Sequence, residues 1–179
     1  MSEYIKNGLS LTWLVVVLYW SISSFSVKKV EQQESFSKRF LFYWLPLLIA
    51  ILLLGPGEWF GHSLIRENFV PHTNLVGGVG LSISVIGAFI ACWSRYKLGN
   101  NWSLSVQKKE NHELITGFLL LFTGNCIIVG DYRGIIAVLI VFFSFWFKIK
   151  KEEKLLIETF GEKYSDYKKQ TKALIPFLI

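Results

Sequence analysis

The chain has 179 residues, of which 52% are apolar and 18% charged, and its formal net charge is +6. Soluble domains carry about 25% charged residues; here the deficit falls in long apolar blocks, which points to lipid as the solvent. Lys and Arg flank those blocks as they do at cytoplasmic membrane edges, and no nucleic-acid motif accompanies them, so the positive charge does not argue for nucleic acid as a partner.

Gly8 to Val27 carries no charge and is long enough to cross a bilayer, closing on Lys28 and Lys29. Its length suits a span better than a cleavable signal. Phe40 to Phe60 is the second expected span; Pro46 removes one helical hydrogen bond and should kink it, and Gly55-Pro56-Gly57 should end it. The connection 61–73 holds His62, Arg66 and His72. The two histidines lack a tight metal-ligand spacing, and the segment reads as a solvated loop. Asn74 to Tyr96 is the third span, in which Gly77, Gly78, Gly80 and Gly87 permit close helix approach. Cys92 and Cys126 lie inside apolar blocks without a CxxC or His partner, and read as packing residues.

Beyond this three-span anchor, 1–97, the region 98–179 divides into a polar linker 98–116, a hairpin 117–147 and a tail 148–179. Each hairpin arm, Gly117–Gly130 and Gly134–Phe147, has about 14 apolar residues, near 21 Å as a helix. That is short of the hydrocarbon thickness of about 30 Å, so the first arm is expected to have lost its opening turns or to thin the bilayer. The fold class expected is all-α, a polytopic membrane protein of about five spans. Lys28, Lys29, Lys38, Arg39, Arg95, Lys97, Lys108, Lys109, Lys148, Lys150 and Lys151 share one side, against Lys6, Arg66 and Arg133 on the other. The N-terminus is therefore expected outside, with linker and tail in the cytoplasm.

The tail should form an amphipathic helix over Lys151 to Gln170, with Glu152, Leu156, Phe160, Tyr164 and Tyr167 on one face and Gly161 weakening its interior. A carboxylate leading an apolar stripe needs a partner. Glu152 can accept hydrogen bonds from a ligand or pair with Lys148 four residues earlier. Gln107, His112 and Glu113 are the polar candidates in the linker. No Ser-His-Asp arrangement and no Gly-rich phosphate fingerprint accompanies them.

LGNNWS at 98–103, VQ at 106–107, HELIT at 112–116, KKEEKLLIETFGEKYSDYKK at 150–169 and Leu174-Ile175-Pro176 follow one another in this order. Together they resemble the isoprenylcysteine carboxyl methyltransferase family over about Tyr96 to Pro176. The combination is specific, whereas any one motif is weak. The resemblance implies an integral membrane methyltransferase that uses S-adenosylmethionine and takes a lipid-linked or hydrophobic acceptor from the bilayer. By the same resemblance Gln107, His112, Glu113, Leu114, Ile115 and Glu152 would line the cofactor pocket. Lys148 would meet the substrate where the family usually has an arginine, keeping the charge but losing bidentate geometry.

One departure bears on activity. After the HxL[IV] element the family has a segment of the form GxYxxxRHPxYxG, whereas here Thr116 runs directly into Gly117-Phe118-Leu119 and the chain contains no RHP. Methyl transfer depends on holding donor and acceptor in line, so loss of a donor wall should leave a poor or inactive catalyst. The competing expectation is a non-catalytic membrane protein of the same fold with an interaction role. A transporter subunit is disfavoured, because no span interior holds a confidently placed charge.

Overall fold

The computed structural model describes residues 2–24, 37, 40–98 and 110–161. Among them lie α1 (Glu3–Ser24), α2 (Leu45–Leu53, led by a π-helical turn Phe40–Trp44), α3 (Asn74–Leu98), α4 (Glu110–Val129) and α5 (Tyr132–Phe160). The fold is all-α as expected. Its extended pairing among the described residues is an isolated bridge, Asn68 to Asp131. Glu3–Ser23, Asn74–Lys97 and Tyr132–Lys151 are long and apolar enough to cross a membrane; Phe40–Leu53 and Glu113–Val129 are shorter apolar helices.

Cross-links at both ends fix the directions of the helices. The Ser2 backbone N–H donates to Asn74 Oδ1 at 2.7 Å, and Arg95 Nη2 donates to the Ser23 carbonyl at 2.9 Å, so α1 and α3 run parallel. At the end holding Arg95, Lys97 meets Glu113; this is the lysine-rich end. At the opposite, turn end, the Gly130 carbonyl accepts from Phe69 and Val70.

α4 is the central helix. It is apolar almost all round, the pattern of a helix enclosed by others. Leu121 and Phe122 are fully buried. Phe122 packs with Ala50, Ala137 and Val141, and the edge of Trp13 meets its ring at 5.2 Å between centroids. Against α3 the approach is closer still. Gly80, Ser84, Gly87 and Ala91 of α3 face Gly117, Leu121 and Gly124 of α4, and a Cβ added to Gly87 would overlap the backbone of Leu121 and Gly117. The Ser84 hydroxyl donates to the Leu121 carbonyl at 3.3 Å. Backbone contact of this kind maximises dispersion where lipid supplies no hydrophobic drive, so the expected use of the α3 glycines in close approach is met at Gly80 and Gly87.

Three boundaries differ from expectation. At Pro46 the helix changes type: it lies inside the continuous helical run Phe40–Leu53, just after a π turn passes into α geometry with Trp44 itself helical, and as expected it withholds one helical N–H. A helical residue 46 would donate to the carbonyl of residue 42; the Phe42 carbonyl instead accepts from Ser144 of α5 at 3.2 Å. Next, HELIT is not linker. It forms early turns of α4, which at 20 residues is about 30 Å long and matches the hydrocarbon thickness. The arm has gained turns from 110–116 rather than lost them.

The third difference is in the tail. Its helix is no separate element, because α5 continues without a break from Tyr132 to Phe160. Gly161 ends it, with φ +56 and its N–H bonded to the Ile157 carbonyl at 2.9 Å. Glycine tolerates this left-handed conformation best. The expected continuation of the stripe to Tyr164 and Tyr167 lies outside the described residues.

Candidate functional site

The first turns of α4 and the later turns of α5 meet at the lysine-rich end. Ile115 and Ile149 are both buried and pack together with Leu119, Phe142, Phe145 and Trp146. The helices bearing His112 and Glu152 therefore lie at the same end of the bundle. Beyond the backbone, the side chains of His112 and Glu152 lie outside the described residues, as does Gln107.

Glu113 lies 3.6 Å from Lys97, with side chains 43% and 44% exposed. At that exposure the pair contributes at most about 1 kcal/mol, and Glu113 remains open to another partner. Leu114 and Ile115 are 9% and 5% exposed, and Ile115 belongs to an apolar cluster. The reason is the change of secondary structure. Once HELIT is helical, its apolar positions turn into the bundle and pack against α5.

The seventh candidate, Lys148, lines a groove of about 660 Å³ between the start of the second span and α5. Leu41, Phe42 and Pro46 form one wall, and Leu139, Phe143 and Phe147 belong to the other. Lys148 and Lys151 stand at its end. Spacings of three and four along α5 put the apolar wall on one helix face. The π turn and the Phe42–Ser144 hydrogen bond hold the opposite wall to it. Lys150 points elsewhere, its Nζ 4.8 Å over the Trp146 ring.

The turn end holds what sequence reasoning missed. Asp131 and Arg133 are each 4% exposed. Arg133 Nε donates to both Asp131 carboxylate oxygens at 3.0 and 2.9 Å, and its Nη2 reaches Oδ2 at 2.6 Å. The same guanidinium donates to the Gly55 carbonyl at 3.3 Å and stacks 5.0 Å from the Phe60 ring centre. Together with the Phe69, Val70 and Tyr132 backbone bonds, this pins the connection 55–73 onto the hairpin turn. The available signal was an acid and a base two residues apart between two apolar blocks. A shallow polar cavity of about 450 Å³ around His62, Arg66 and Glu67 lies on the same connection. Among the described residues, no group of three His, Cys, Asp or Glu could hold a metal ion.

Neither cavity is lined by any of the six residues expected around S-adenosylmethionine. Of the described side chains in that set, Glu113 alone offers a polar group; Leu114 and Ile115 are buried, Ile115 in an apolar cluster.

Set beside known proteins, the chain is 24% identical over 159 residues to the protein-S-isoprenylcysteine O-methyltransferase of Schizosaccharomyces pombe (strain 972 / ATCC 24843). The match covers 76% of this chain and 67% of that protein. No protein-family profile matches the chain, and no solved structure matches it.

Proposed function

We propose that this chain is a membrane methyltransferase in type, with an acceptor groove that is formed and a donor site that is curtailed. The similarity to the S. pombe protein supports methyl transfer as the family-level chemistry. The 159 aligned positions exceed 76% of this chain's 179 residues, so the relative contributes residues to the match that this chain lacks. The observation that carries the curtailment is Ile115 locked against Ile149: the stretch expected to wall the cofactor serves as the opening turns of α4. S-adenosylmethionine would be the methyl source, and a hydrophobic acceptor would meet Lys148.

Isothermal titration of the full chain in detergent with S-adenosylhomocysteine tests the donor half. Binding should be too weak to saturate at millimolar ligand, a free energy of binding weaker than about −4 kcal/mol. Stoichiometric micromolar binding refutes the curtailment. Inserting the corresponding segment of the S. pombe relative after Thr116 should restore donor binding; if the restored chain folds and still binds none, the methyl-transfer reading fails.

The same reading places the lysine-rich end in the cytoplasm. In a background free of Cys92 and Cys126, Ser63→Cys should react with a membrane-impermeant maleimide applied to intact cells. Lys154→Cys should react only after lysis. Both positions are exposed, and the reverse pattern overturns the orientation.

A further inference from the structure

We propose that the polar cavity at the turn end holds the zwitterionic head group of a phospholipid, with the phosphate on Arg66 and the ammonium on Glu67. The site lies at the opposite end of the bundle from Lys97 and Glu113, and it does not depend on methyl transfer.

The first observation is an unmatched pair of charges. Arg66 and Glu67 are adjacent in sequence and line the same cavity of about 450 Å³, a volume within the range of about 300–1,000 Å³ of small-ligand sites. Neither takes part in an ion pair among the described residues. The local backbone keeps them apart. The 3-10 turn Leu64–Arg66 passes into extended backbone at Glu67, whose N–H bonds to the Leu64 carbonyl and whose carbonyl accepts from Tyr132 at 3.2 Å. Arg66 turns back instead: its Nη1 donates to the Gly61 carbonyl at 2.8 Å. Its Nε and Nη2 stand 3.2 and 3.1 Å from the place a Cβ on Gly57 would take, and Arg133 Nη2 stands 3.1 Å from the same point. Two guanidinium groups therefore flank Gly57. Asp131 neutralises Arg133, whereas Arg66 has no carboxylate of its own, so the surplus positive charge is on the cavity side.

A phosphate suits that surplus, because a guanidinium presents forked donors to its oxygens. A purely anionic ligand would also meet Glu67, which repels it; an ammonium joined to the phosphate turns that repulsion into attraction. The neighbours name the source as lipid. Leu64 lines the cavity and is exposed. Trp59 is exposed too, and its ring edge lies 2.9 Å from the Cβ position of Gly55, just past the end of α2. A tryptophan at the end of a span marks chain that lies at head-group level. The Arg133 bond to the Gly55 carbonyl and the backbone bonds to the hairpin turn hold the connection in place, so little ordering is left for the ligand to impose.

The test titrates the full chain, stripped of lipid in detergent, with dioleoyl phosphatidylethanolamine and counts retained lipid by native mass spectrometry. Binding should be at least fivefold tighter than for dioleoyl phosphatidylglycerol, which has the phosphate without the ammonium. Arg66→Gln should weaken binding of the first lipid at least fivefold at an unchanged melting temperature, and Arg66→Lys should recover part of it. Glu67→Gln should erase the preference between the two lipids, a ratio that a merely structural role would not move. Lys148→Gln, at the other end, should leave the preference intact. Equal affinity for the two lipids overturns the proposal, as does a preference that survives Arg66→Gln and Glu67→Gln in protein that melts normally. Soluble glycerophosphoethanolamine competing as well as the lipid would overturn the lipid source. Should Arg66→Gln fail to fold, Glu67→Gln decides, because the Glu67 carboxylate makes no ion pair among the described residues. Failure here leaves donor binding and methyl transfer untouched, and their failure leaves this site standing.

Discussion

Arg133→Met should destabilise the bundle by about 3–5 kcal/mol, because it leaves the buried Asp131 carboxylate without its counter-ion. Three of the four hydrogen bonds made by the Arg133 side chain go to that carboxylate. Neither group can turn to water without opening the loop, since both are 4% exposed. Removing both charges is a different matter. Asp131→Asn with Arg133→Met strands no ion, and should recover more than half of the loss, because a buried pair gains little net energy over a neutral replacement. Unfolding titrations in mixed micelles measure all three variants. A cost for Arg133→Met below about 1 kcal/mol would show that water reaches the pair and that the connection 55–73 is not pinned by it.

Gly87→Leu should be as damaging, by about 3 kcal/mol or more, for a reason of space alone. Its new Cβ would strike the Leu121 nitrogen and the Gly117 carbonyl, and these are backbone atoms that no rotamer change can move. The helices would have to separate along the whole α3–α4 seam, which also opens the Ser84 bond to Leu121. Gly78→Leu is the control. It lies on the same helix with nothing within 4 Å of the added carbon, and should stay within about 0.5 kcal/mol of the parent. Monodispersity on size exclusion and thermal melting decide it; two variants that behave alike would remove the seam as the source of stability.

The spans could be read from sequence because their physics is one-dimensional. An uncharged apolar run of sufficient length has few alternatives to a helix in lipid, and α3 begins at Asn74 as expected. What the runs conceal is where helices stop. Hydropathy marks the water boundary, and Lys148 to Leu156 crosses that boundary with residues that favour helix; α5 therefore continues where charge suggested a junction. HELIT misled in the mirror sense: its polar letters suggested a linker, yet Glu113 near a helix N-terminus complements the macrodipole. Of the candidate groove, only Lys148 was legible in advance, through the family resemblance rather than through spacing. The opposite wall was not, because a contact between Phe42 and Ser144 leaves no periodic trace. The one hint, a proline four residues after Phe42, announces a spare acceptor without naming its donor.

The unbroken course of α5 sets a height. Its 29 residues make a rod of about 44 Å, some 14 Å longer than the hydrocarbon it crosses. A stiff post of that length does not fold down at Lys151, where its apolar stretch ends, but runs on to Gly161. Replacing Gly161 by alanine would strain the backbone at φ +56 where the post stops, while leaving both grease and charge untouched.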